Sequence, residues 1–243
     1  MNELNSDLIV KRSLRGVFAL ISRTFFLNII SLFAFLVITS VLNASQVGIY
    51  TAVIAIQRVI AFFTDFGLGA ALIQKKEELK QTDIATTFTI KAGITLEIFI
   101  VIFLSIDSIS VFFKFNNSAK NLLLVLVFTI FISSFKTIPS ILLERSINFG
   151  KLVFPQIIES LVFNGILVVL VLGGYGLDSF SFAFLVSSLI GIPFYYLVSP
   201  WKIRIGIDKA SLSYLKFGIQ FQAKNVLGTI KDDLLTSILP LFL

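Results

Sequence analysis

Histidine and cysteine are both absent from this 243-residue chain, and each absence closes off chemistry. Without them there is no Ser-His-Asp or Cys-His triad, no zinc site built on those ligands, no haem held by histidine and no disulfide. Charge is scarce as well: Asp, Glu, Lys and Arg make up 14% of the residues, where a soluble domain carries about a quarter. No motif implies a cofactor, and no connection between apolar runs is long enough for a soluble domain. What fills the chain is apolar: 56% hydrophobic residues, 27 of them Phe, with a mean hydropathy of +0.96. That profile defines an all-α, polytopic membrane bundle.

The net charge of +6 comes from 20 Lys and Arg against 14 Asp and Glu. These cations stand singly inside apolar runs or in short loops between them, so nucleic acid is not an expected partner, whereas membrane lipids are. The N-terminus has Lys11, Arg12 and Arg15 ahead of an apolar run, as a signal peptide would, but lacks a small-residue cleavage site. Residues 1–15 therefore read as a basic leader, a short amphipathic segment on an anionic membrane face.

Six spans follow, at about 16–42, 47–73, 84–113, 121–147, 152–172 and 179–198, and a seventh helix begins near Ser211. The second is roughly 40 Å long as one helix at ~1.5 Å per residue, enough to cross with tilt. Pro139 predicts a kink in the fourth span. Gly173-Gly174-Tyr175-Gly176 predicts a tight external turn, and Tyr195, Tyr196 and Trp201 an interfacial aromatic belt. Segments that alternate to one side hold Lys11, Arg12, Arg15, Lys75, Lys76, Lys80, Arg145, Lys151, Lys202, Arg204 and Lys209. The other side holds only Lys114 and Lys120. The positive-inside rule makes the richer side, and the N-terminus with it, cytoplasmic.

Several charges lie within the spans, where each costs roughly 2.5 to 3.5 kcal/mol at a helix centre. The cations are Arg23, Arg58, Lys91, Lys136, Lys224 and Lys231, and the anions Asp65, Glu97, Glu159, Asp232 and Asp233. Arg58 and Asp65 share a helix face about 10 Å apart, too far for local pairing. Gln220, Lys224 and Lys231 share a narrow sector of the seventh helix. Two readings stand: a hydrated cavity lined by cations, or ion pairs holding helices together. Arg23 has a third, snorkelling to the interface. A cation-rich cavity suits a phosphate or pyrophosphate group, Arg58 by bidentate contact and the lysines as point charges. Asp65, Glu97 and Asp232 are candidates for ion coupling or for structural pairing.

The run GIYTAVIAIQRVIAFFTDFGLGAALIQKKE at Gly48 to Glu77 resembles the second helix and first inner loop of bacterial polysaccharide and O-antigen (Wzx-type) flippases. Their superfamily also holds the MATE multidrug exporters and the lipid II flippases. ILLERSINFGKL at 141–152, SPWKIR at 199–204 and LKFGIQ at 215–220 agree with it. Asp65, Gly67 and Gly69 match the family's Asp-hydrophobic-Gly-hydrophobic-Gly pattern, and Asp232 matches an aspartate of the seventh helix.

The resemblance implies a MATE-like six-helix N-lobe over 16–209, with 210–243 the start of a second lobe. It also implies export of a lipid-linked oligosaccharide, typically on undecaprenyl pyrophosphate, across the bacterial inner membrane for O-antigen or lipopolysaccharide assembly. Polysaccharide polymerase and glycosyltransferases are the partners it suggests. Family members pair two such lobes, so the expectation is an incomplete form, inactive alone. A drug or cation exporter half and a membrane enzyme of polysaccharide assembly are the competing classes. The first prefers an acidic cavity, and the second a loop that carries the chemistry.

Overall fold

The structure, a computed structural model, describes residues 3–64 and 67–212. Its helices are α1 (Glu3–Val41), α2 (Ala44–Thr64), α3 (Leu68–Gln74), α4 (Gln81–Phe113), α5 (Asn117–Arg145), α6 (Phe149–Leu172) and α7 (Asp178–Val198). Six of them are long and apolar enough to cross a membrane, beginning with the 26 residues Gly16–Val41 of α1. The shortest, at 21 residues, reach about 31 Å, just the depth of a hydrocarbon layer. No strand occurs among the described residues. The chain is a multi-pass helical membrane bundle.

The basic leader is helical. Helical backbone runs from Glu3 straight into the first span, because nothing between them breaks a helix. Gly16 has a packing role: a Cβ there would come within 2.7 Å of the Phe149 ring at the start of α6.

The second span is also not one continuous helix, contrary to the expected 47–73 segment. α2 ends at Thr64 and α3 begins at Leu68, with Gly67 between them at φ 66°, a left-handed conformation that a Cβ penalises. The break is fastened rather than loose. Arg145, at the end of α5, donates to the carbonyls of Leu72 (2.7 Å), Lys75 (2.7 Å) and Glu77 (2.6 Å), satisfying groups that the short α3 leaves open.

α5 is the central helix and packs against α2, α3, α4, α6 and α7, while α1 lies on α6. Asn116 caps it, its side chain accepting the Ala119 N–H at 2.9 Å. Leu122, Leu123, Leu126 and Val127 then enter a core shared with Val53, Leu167, Val171 and Ala183. A second core at the opposite end joins Leu72, Ile84, Phe88, Ile138 and Trp201. Trp201 sits edge-on to Phe88 at 5.2 Å, and Tyr195 is 5% exposed. Both are therefore core residues and not the lipid-interface belt expected of them.

Two connections abut at the α6–α7 end. Gly174 and Gly176 take left-handed φ of 82° and 57°, as the glycine-rich turn requires, and a Cβ on Gly176 would lie 2.8 Å from Gln46 Nε2. Gln46 and Asn43 form a reciprocal cap at the start of α2. Gln46 N–H donates to Asn43 Oδ1 at 2.9 Å, and Asn43 N–H to Gln46 Oε1 at 3.3 Å.

After α7 the chain runs extended along α4, the N–H groups of Gly206 and Asp208 donating to Thr89 and Thr86 hydroxyls at 3.0 Å. Asp208 then caps a new helix through Ser211, whose N–H and hydroxyl both reach Oδ2 at 3.1 and 3.0 Å. Residues 209–212 are helical, where a seventh span was expected to begin.

Candidate functional site: charge within the bundle

Among the described residues, two pairs of opposite charge lie within this bundle, one buried and one half-buried, and their surroundings differ. The first lies where α3, α4 and the chain after α7 meet. Lys75 Nζ donates to Asp83 Oδ2 at 2.6 Å, and the two side chains are 3% and 5% exposed. Oδ2 also accepts the Lys80 N–H at 2.9 Å, and Oδ1 accepts the Ser211 hydroxyl at 2.9 Å. Such an arrangement holds three segments together and leaves little of the carboxylate free to bind anything else.

The second lies inside the spans. Lys136 of α5 donates to Glu159 Oε1 of α6, with side-chain exposures of 14% and 21%. Counting from the α5–α6 connection, Lys136 stands nine residues before Arg145 and Glu159 ten after Phe149. At ~1.5 Å per residue each is about 14 or 15 Å deep, the middle of a ~30 Å hydrocarbon layer.

Two features of α7 make room there. A Cβ at Gly191 would overlap the Glu159 carboxylate, so only glycine allows its approach. Tyr195 lies below Lys136, with Nζ 5.8 Å from the ring centroid.

Gln156 and Ser140 flank the Tyr195 hydroxyl, and Arg23 of α1 lies within electrostatic range of Tyr195. Arg23 is half-buried. Its Nε and the Oε1 of Gln156 are buried without a hydrogen-bond partner among the described residues. Glu159 meets Lys136 through Oε1. The Lys136–Glu159 pair is neutral as a unit, and Arg23 adds a positive charge on α1.

The other expected site residues are placed as follows. Arg58 of α2 and Glu97 of α4 are exposed on their helices, and Lys91 of α4 is half-buried. Asp65, Lys224, Lys231 and Asp232 lie outside the described residues. Thus the structure pairs Lys136 with Glu159, places Arg23 half-buried on α1, and leaves Arg58 and Glu97 exposed on their helices. Glu159, Gly191 and Tyr195 complete the centre although none was singled out as a site residue. The matched depths of Lys136 and Glu159, on either side of one short connection, are the sequence signal that finds the pair.

Six helices able to cross a membrane, α5 at their centre, and an ion pair held between α5 and α6 define a polytopic membrane protein. The sequence model of a family described as "Polysaccharide biosynthesis protein" matches residues 37–240. The chain belongs to that family, and its role lies in polysaccharide synthesis or export. No curated protein and no solved structure matches it.

Proposed function

We propose that this chain moves a lipid-linked oligosaccharide repeat unit, carried on undecaprenyl pyrophosphate, from the inner to the outer leaflet of a bacterial inner membrane. The observation that carries this reading is Lys136, a cation at bilayer depth whose one carboxylate partner is Glu159, with the charge of Arg23 reaching the adjoining Tyr195. Isolated charge at that depth is costly, and where it occurs it marks a pathway for polar cargo. A pyrophosphate supplies the missing negative charge, and its oxygens take spare donors.

Arg58, Lys91, Lys224 and Lys231 are the further cations proposed to pass the headgroup along. Arg58 and Glu97 stand on faces that the bundle does not cover, the position that chamber-lining side chains take. Asp65, Glu97 and Asp232 are proposed to couple an ion to this movement or to pair with those cations. With the N-terminus cytoplasmic, glycosyltransferases would supply the cargo on the inner side and a polymerase would consume it outside.

Deleting the gene tests this. Lipid-linked repeats should still be made but stay on the cytoplasmic leaflet, reached by a periplasmic glycosidase only after permeabilisation, while surface polysaccharide disappears. Failure to make the repeats, or polymer loss with repeats already outside, would assign the chain to synthesis instead. Orientation has its own check in this cysteine-free chain. Asn43→Cys and Lys76→Cys, both at exposed positions, should label from outside and only after permeabilisation, respectively.

A further inference from the structure

Lys136 already has an anion. Glu159 occupies it from α6, and the way it is held distinguishes this pair from a structural one. Among the described residues its contact is with one donor, through one carboxylate oxygen, and both side chains keep part of their surface open. A carboxylate accepts about four hydrogen bonds, so this one is far from satisfied. On α1, the Arg23 Nε is buried with no hydrogen-bond partner among the described residues. Gly191 clears the space into which the carboxylate fits.

We propose that Glu159 is a resident stand-in for the anionic group of the cargo. While no cargo is bound it neutralises Lys136, whose lone charge at mid-bilayer would otherwise be costly. When a pyrophosphate arrives, one of its oxygens takes the Lys136 ammonium, another reaches Arg23, and Glu159 is displaced. The exchange swaps one singly charged, singly bonded partner for a multiply charged one that bridges two cations, so its direction follows from charge and donor count. It also means that Glu159 sets affinity by competition: the cargo is released because an internal anion waits to replace it. This inference rests on the reading of Arg23 and Lys136 as the headgroup site and adds the role of Glu159.

The test is equilibrium binding to the full chain in nanodiscs, with undecaprenyl pyrophosphate as the probe and undecaprenol, which lacks phosphate, as the control. Glu159→Gln removes the competitor and should tighten the pyrophosphate lipid about tenfold or more, with undecaprenol unchanged. Inorganic pyrophosphate should show the same gain, because the competition is at the headgroup. Glu159→Asp, which keeps the charge but shortens its reach, should tighten binding less, and it serves if Glu159→Gln folds poorly.

Thermal unfolding gives a second readout. Glu159→Gln should melt lower than the parent when empty and show the larger upward shift with ligand, since the ligand then neutralises an otherwise lone cation. Unchanged or weaker binding by Glu159→Gln, with Lys136→Gln still weakening it, would overturn the stand-in while leaving the headgroup site intact. A gain shared by undecaprenol would overturn it too. Indifference of binding to Lys136→Gln would remove the headgroup site itself.

Discussion

Lys75–Asp83 and Lys136–Glu159 are the same chemical pair in two settings, and the difference between them separates holding from handling. Asp83 is nearly inaccessible and takes a lysine, a backbone N–H and a serine hydroxyl, tying α3, α4 and the chain after α7 together. Glu159 is several times more exposed and, among the described residues, is held by the Lys136 ammonium through one oxygen. A carboxylate saturated by the fold has no capacity left for a ligand. One left short of partners has.

The sharpest way to break this comparison is to remove each acid in turn. Asp83→Ala takes the near carboxylate from the buried Lys75 and leaves it the distant, exposed one of Glu77, which costs roughly 3 kcal/mol, and thermal unfolding should show it as the largest loss. Replacing both residues, Lys75→Met with Asp83→Leu, should recover most of that, because matched apolar groups remove the stranded charge. Equal destabilisation by Asp83→Ala and Glu159→Gln would erase the distinction drawn here.

A smaller effect is expected at Gly191. Alanine there forces the Glu159 carboxylate aside, with an overpacking penalty of about 1 to 3 kcal/mol that Glu159→Ala should largely relieve in the double variant. Additive losses from the two changes would mean that the glycine serves helix packing instead. The smallest effect belongs to the buried hydroxyl contact of Thr95 and Ser134, 2.9 Å apart between α4 and α5. Hydrogen bonds between spans average about 0.6 kcal/mol, so Ser134→Ala should barely shift the melting point.

Much of this architecture is legible in the sequence because hydrophobicity sets spans directly. Residues 84–113 and 179–198 were read almost to their observed ends, and the turn at Gly173–Gly176 followed from its glycines. The second span went wrong at Gly67. In an apolar run a single glycine is tolerated, and only the left-handed φ, supported by Arg145 from 70 residues away, turns it into a break. That contact has no local signature.

The same limit applies to Tyr195 and Trp201. A composition rule places aromatics at the interface, but which side of the helix they face is decided by neighbours remote in sequence. For the site, Arg23 and Lys136 were legible as costly charges. The partner of Lys136 is legible only once the depths of Lys136 and Glu159 on either side of the α5–α6 connection are compared, because a lone in-span glutamate looks the same whether it lines a cavity or pairs.

Photo-crosslinking offers the most direct test of the central claim that Arg23 and Lys136 receive the cargo's anionic group. The probe is undecaprenyl pyrophosphate with a diazirine close to the phosphates, bound to the full chain and mapped by mass spectrometry. Peptides containing Arg23, Lys136 and Glu159 should be labelled, the label should be lost on competition with unmodified lipid, and a phosphate-free probe should not place it there. Labelling confined to the exposed apolar faces of α1 and α4, or the same pattern from the phosphate-free probe, would contradict the account.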